Sequence, residues 1–100
     1  MKQYVTLYTD LELNTPFKVT IENVHIVLYK TETGIYALAD TCSHEEYPLS
    51  ESTAIADTIE CKKHGSTFNL TTGQAITLPA FEPVQTYSIS IDGDKIYVEI

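Results

Sequence analysis

Apolar and polar residues alternate with a period of two along most of this chain, and a period of two is that of a strand. Val24, Ile26 and Leu28 share one side of the run 24–29, and Ile96, Val98 and Ile100 share one side of 95–100. Tyr87, Ile89 and Ile91 alternate with Ser88 and Ser90 in a third segment. One apolar and one polar face per strand predicts half-buried antiparallel sheet. Further strands are expected near 3–7, 17–21, 35–39 and 58–61. Turn residues fall between the runs: Glu22-Asn23, Glu32-Thr33-Gly34, Thr72-Gly73-Gln74 and Asp92-Gly93-Asp94. Each supplies a residue that tolerates positive φ or bonds its own backbone, so successive hairpins are expected. The one helical signal, the capping-box pattern Thr9-Asp10-Leu11-Glu12, is too short for more than a turn or two. The predicted class is all-β.

The chain has 100 residues, a length that suits one domain spanning 1–100. Within it, the segment of about 40–78 differs from the two ends, with shorter strands and loops richer in reactive side chains. It is expected to form a small subdomain inserted into the β-scaffold. No apolar stretch approaches the ~18 residues of a membrane span, and 1–8 lacks a basic stretch followed by an apolar one. A soluble, cytoplasmic protein with no membrane partner is expected. Six lysines and no arginine stand against 14 acidic residues, for a formal net charge of −8. That field opposes nucleic acid and anionic lipid and favours basic patches on partner proteins.

The chemistry concentrates in two short pairs. Cys42-Ser43-His44 and Cys61-Lys62-Lys63-His64 contain both cysteines and two of the three histidines, with residues 45–60 between the pairs. Thiolates and imidazoles in this number suit either a tetrahedral zinc site or an asymmetric [2Fe-2S] cluster. A single disulfide is disfavoured, because each cysteine sits beside a histidine as a ligand pair does. The common zinc arrangements pair Cys with Cys and His with His, whereas here the order alternates, which favours the cluster. A zinc-stabilised β-module for protein contacts is the alternative from another class. No glycine-rich phosphate loop and no serine nucleophile elbow occurs, so a catalyst acting on its own is not expected.

Read in full, Cys42-Ser43-His44, then Cys61-Lys62-Lys63-His64-Gly65-Ser66-Thr67-Phe68-Asn69 and Thr72-Gly73, resembles the Rieske family pattern of C-x-H followed by C-x-x-H-G. Leu49-Ser50, Asp57-Thr58-Ile59 and a Leu78-Pro79-Ala80 stretch where the family has a proline loop extend the likeness over most of the chain. The resemblance implies a Rieske-like antiparallel β-sandwich or barrel with the cluster-binding subdomain inserted. It further implies one [2Fe-2S] cluster, with Cys42 and Cys61 on one iron and His44 and His64 on the other, the histidine edge serving as the electron exit. The implied function is a ferredoxin that carries single electrons from an NAD(P)H-dependent flavin reductase to a terminal oxygenase, in aromatic-ring hydroxylation. Service to another oxidase, such as a diiron monooxygenase, is the nearby alternative.

Departures from the pattern narrow the subtype. High-potential relatives carry two more cysteines joined in a disulfide, where this chain has Tyr47 and Lys63. Like them it has Ser66, whose hydroxyl is implied to bond a cluster sulfide, but Phe68 replaces their tyrosine. Fewer donors to sulfur stabilise the reduced state less, so a potential at the low end of the Rieske range, about −150 mV, is expected. Lys62 stands where a proline is frequent and Ser52 where a glycine is frequent, so both loops are expected to follow slightly different paths. Of the remaining residues, His25 is expected to be a surface or structural group and most tyrosines to pack. Glu45 and Glu46 are read either as a docking rim beside His44 or as a solvated pair.

Overall fold

Strand β3 (Val24–Thr31) buries four consecutive residues, Ile26, Val27, Leu28 and Tyr29, each 0% exposed. The expected alternation of a buried and a solvated face therefore fails at the centre of the molecule. Two apolar clusters explain it. Ile26 and Leu28 pack with Ala37, Ile96 and Val98 on one side, while Val27 and Tyr29 pack with Leu38, Phe68 and Leu70 on the other. A strand covered on both faces reads as a continuous apolar run, and each large side chain so buried contributes about 1.5–3 kcal/mol.

The computed structural model describes residues 2–41, 48–61, 65–76 and 83–100. The chain order is β1 (Lys2–Leu7), β2 (Phe17–Ile21), β3, β4 (Gly34–Ala39), β5 (Ala54–Ile55), β6 (Thr58–Glu60), β7 (Thr67–Asn69), β8 (Thr86–Asp92) and β9 (Lys95–Glu99). Six strands form an antiparallel, barrel-like sheet in the order β1-β9-β8-β4-β3-β2. The class is all-β, as expected. The predicted hairpins occur, β2 to β3 through Glu22 and Asn23 at φ 49° and 69°, and β8 to β9 through Gly93 at φ 65°. No helix among the described residues is long and apolar enough to cross a membrane.

The remaining strands make a second sheet in the order β5-β6-β7. Its inner row, Ala54, Ile59 and Phe68, is in register across the three strands and lies against the far face of β3. Ala56 and Asp57 form the β5–β6 turn at φ 48° and 63°, a left-handed pair with neither glycine nor asparagine. That is why the sequence reading missed this hairpin. The small sheet is tied to the scaffold by polar bonds: Ala54 N–H donates to the Asn14 carbonyl at 2.9 Å, and Thr33 Oγ1 donates to the Asp57 carboxylate at 3.0 Å.

Two short 3-10 turns complete the described structure. The first, Tyr8–Asp10, differs in detail from the expected capping box. Asp10 rather than Thr9 organises it, accepting from Thr6 Oγ1 at 2.6 Å and from Leu7 N–H at 3.3 Å. The second, Leu49–Glu51, was not foreseen. Packing of the tyrosines is uneven: Tyr29 is wholly buried, whereas Tyr4 is 53% exposed and meets Tyr97 edge to face.

Candidate metal centre

Strands β6 and β7 end their pairing at Glu60 and Thr67, and residues 61–66 between them include the second expected ligand pair. Backbone bonds close its neck. Cys61 N–H donates to the Ser66 carbonyl at 2.7 Å, and Gly65 N–H donates to the Cys61 carbonyl at 2.8 Å. Gly65 has φ 75°, in the left-handed region, which lets the chain turn back sharply enough for these bonds to form. Cys61 lies at the inner end of the loop, 0% exposed and in the cluster with Tyr29, Leu49 and Phe68. Gly65 is exposed, while Ser66, which follows it, is 0% exposed.

The first ligand pair belongs to the segment between Asp40 and Ser50, whose two stems are fixed. Asp40 receives two bonds from Ser50: N–H to Oδ1 at 2.8 Å and O–H to Oδ2 at 2.8 Å. On the scaffold side, Asp40 N–H donates to the His25 carbonyl at 2.9 Å. Past Ser50, the Tyr29 hydroxyl lies 3.0 Å from the Leu49 carbonyl and 2.7 Å from the Ser52 carbonyl. A phenol has one proton, so the two carbonyls share it. The Ser52 hydroxyl, at a position where the Rieske pattern frequently has glycine, is buried and has no hydrogen-bond partner among the described residues.

A third loop is closed from Asn69 onward. The Asn69 side-chain oxygen accepts from the backbone N–H groups of Thr71 and Thr72, and Gly73 N–H donates to the Asn69 carbonyl at 2.7 Å. Val84 N–H then donates to the Gly73 carbonyl at 2.7 Å, bringing the two ends of 74–83 together. The proline-loop residues Leu78, Pro79 and Ala80 fall within that stretch and lie outside the described residues.

Of the four expected ligands, the structure positions Cys61. Cys42, His44 and His64, with Glu45, Glu46, Tyr47, Lys62 and Lys63, lie outside the described residues. His25 sits on the exposed face of β3 with its Nδ1 3.1 Å from Thr20 Oγ1, in keeping with a surface role. Ser66 is 0% exposed beside the neck of the second loop. Sequence reading had noted Ser50 only as part of the Leu49-Ser50 likeness and had not singled out Tyr29 or Asp40, because their partners are backbone groups and a serine that pattern alone does not pair.

These surroundings fit a [2Fe-2S] cluster. A thiolate buried among apolar side chains is costly unless a cation compensates it, which iron does.

Burial strongly raises the pKa of the Tyr29 hydroxyl above its ordinary value, and the negative charge of Asp40 adds to the rise. The phenol is neutral when protonated, so its contribution to stability is complete below the unfolded value of about 10 and is lost as pH rises beyond it. Chemical unfolding from pH 8 to 11 should show stability falling above about pH 10, and Tyr29→Phe should remove that part of the slope. An identical alkaline slope in the variant would assign the loss to other groups.

A barrel-like six-stranded sheet with a small second sheet, one of whose loops closes at its neck on the buried Cys61, defines an all-β domain with a cysteine set in its core. The chain belongs to the Rieske [2Fe-2S] domain family, which matches residues 1–88. Among its relatives, the 3-phenylpropionate/cinnamic acid dioxygenase ferredoxin subunit of Escherichia coli (strain K12) is 37% identical over 76 residues, 75% of this chain and 72% of that one. The ferredoxin of carbazole 1,9a-dioxygenase from Nocardioides aromaticivorans IC177 superposes with a TM-score of 0.91, at 27% identity over 97% of this chain and 95% of that one. A structure of reduced oxygenase with oxidized ferredoxin in carbazole 1,9a-dioxygenase also matches at a TM-score of 0.91, with 30% identity over 97% of this chain and 91% of that one.

Proposed function

We propose that this protein is a soluble, cytoplasmic electron carrier that takes single electrons from an NAD(P)H-dependent flavin reductase and delivers them to the terminal oxygenase of an aromatic-ring hydroxylating system. Its relatives' names support the oxygenase: one is a ferredoxin subunit of an aromatic-acid dioxygenase, and another ferredoxin was solved together with its oxygenase. The observation that carries the reading is the wholly buried Cys61 at the neck of a Cys-x-x-His hairpin loop. Cys42 and Cys61 would bind one iron, His44 and His64 the other, in a subdomain of about 40–78 within a single domain of 1–100. When bound, such a cluster accepts and releases one electron at a time.

The chain's own residues supply what this carrier needs. Apolar packing around Cys61 keeps water from the thiolate, and the hydrogen-bonded necks of the two ligand-bearing loops fix the ends from which those segments leave the scaffold. Gly65, next in sequence to the expected ligand His64, is exposed at the surface, within reach of a partner. A formal charge of −8 favours partners that present basic patches.

The test is anaerobic purification followed by iron, sulfide and zinc analysis, electron paramagnetic resonance of the reduced protein, and a redox titration. Two irons and two sulfides per chain, a low average g-value and a midpoint near about −150 mV are expected. A colourless protein with one zinc would replace this reading with the interaction module. A midpoint well above zero would keep the cluster but reject the oxygenase-ferredoxin subtype. Turnover of a matched reductase and oxygenase only when this chain is added then tests the partners.

A further inference from the structure

Two stems hold the first ligand segment, and both are secured by side chains to which the family pattern assigns no role. Asp40 precedes Cys42 by two residues, and its carboxylate takes both the N–H and the O–H of Ser50 across the neck, each at 2.8 Å. Ser50 and Leu49 are 8% and 0% exposed, so these bonds are largely shielded from competing water. Charge-assisted bonds of this length are about twice as strong as neutral ones. Tyr29, from the centre of β3, reaches the carbonyls of Leu49 and Ser52 on the same stem. It is 0% exposed, so its ring cannot swing away without opening the core.

We propose that Asp40 and Tyr29 are positioning residues for the metal centre: together they lock the neck of the loop carrying Cys42 and His44, and so set the geometry in which that loop presents its ligands. The inference rests on the electron-carrier reading above. Backbone bonds between Cys61, Gly65 and Ser66 close the neck of the second loop, and the Asp40 carboxylate and the Tyr29 phenol bond across the neck of the first. Changes at Asp40 therefore bear on the neck of the first loop, and changes at Tyr29 bear also on the apolar cluster that holds Cys61. Asp40 also brings a fixed negative charge to the Cys42 stem, which opposes addition of an electron nearby.

The variants Asp40→Asn, Ser50→Ala and Tyr29→Phe separate these effects. Each is purified anaerobically beside the native protein, and three quantities are measured: the reduced-state resonance spectrum, the midpoint potential and the rate of cluster loss to a chelator. Asp40→Asn keeps an acceptor for the Ser50 N–H but removes the charge and the acceptor for its O–H. Ser50→Ala removes the O–H bond and keeps the charge. Tyr29→Phe removes the phenolic proton and keeps the ring. The expected result is a broadened or shifted g-tensor in all three, cluster loss at least about tenfold faster in Asp40→Asn, and an upward midpoint shift in Asp40→Asn that Ser50→Ala lacks. Spectra and midpoints identical to the native protein, with only a lower melting temperature, would overturn the proposal and leave the contacts a purely structural role. If Asp40→Asn fails to fold, the other two variants decide by the same spectra. Absence of the cluster from the native protein would instead defeat the electron-carrier reading, so the two failures are distinct.

Discussion

Replacing Cys61 with serine is expected to yield a colourless protein that retains no iron and no labile sulfide after purification. Cys61 is 0% exposed and sits in the apolar cluster with Leu49, Phe68 and Leu70, so no neighbouring water replaces the missing sulfur. Serine keeps nearly the same volume, which separates loss of a ligand from collapse of a cavity. A hydroxyl is a far poorer donor to iron than a thiolate at neutral pH, and buried among these side chains it costs about 1–3 kcal/mol of its own unless it finds a partner. Binding a group only in the folded state stabilises that state, so the variant should also melt well below the native holoprotein. Circular dichroism in the far ultraviolet should remain that of a β-protein, because the larger six-stranded sheet does not include this loop. A serine variant holding native amounts of iron, with an unchanged resonance spectrum, would remove Cys61 from the ligand set.

The second large effect is expected at Gly73. A Cβ built there would lie 2.1 Å from the Val84 carbonyl oxygen and 2.9 Å from Thr86 Cγ2, and the backbone has φ 77°. The first contact is with main chain, so a rotamer change cannot relieve it. Either Gly73 or Val84 must move, and their movement breaks the 2.7 Å bond that closes the 74–83 stretch. Left-handed strain and overpacking together make Gly73→Ala cost about 3 kcal/mol or more, roughly 10–20 °C in melting temperature for a chain of this size. Gly93→Ala is the control. Gly93 also has positive φ, 65°, but nothing lies within 4 Å of its added Cβ, so that change should cost only about 1 kcal/mol. Equal losses in the two variants would show that backbone conformation alone, and not the close approach to Val84, makes Gly73 necessary.

The outer strands were legible because their side chains obey one environment each. Strand β2 falls on the expected 17–21, and β8 and β9 flank the expected turn at Gly93. Ile96 and Val98 face the core as their alternation predicts. Strand β3 was legible as a strand but not in its burial, since alternation of Val24, Ile26 and Leu28 cannot reveal that a second sheet covers Val27 and Tyr29. Strands β5 and β7 went unread because two or three residues hold no period to detect, and because the Ala56-Asp57 turn lacks the usual left-handed residues.

The linear order of residues settled the all-β class, the acidic surface and the two Cys/His pairs whose spacing carries the Rieske likeness, because strand periodicity and ligand type are local properties of the chain. Folding in three dimensions decided the rest: that Cys61 is sealed in an apolar cluster, that Asp40 meets Ser50 across a loop neck, and that Tyr29 reaches a stem 20 residues further along. Burial and hydrogen bonding between distant segments depend on which surfaces come together, and no local pattern encodes that meeting.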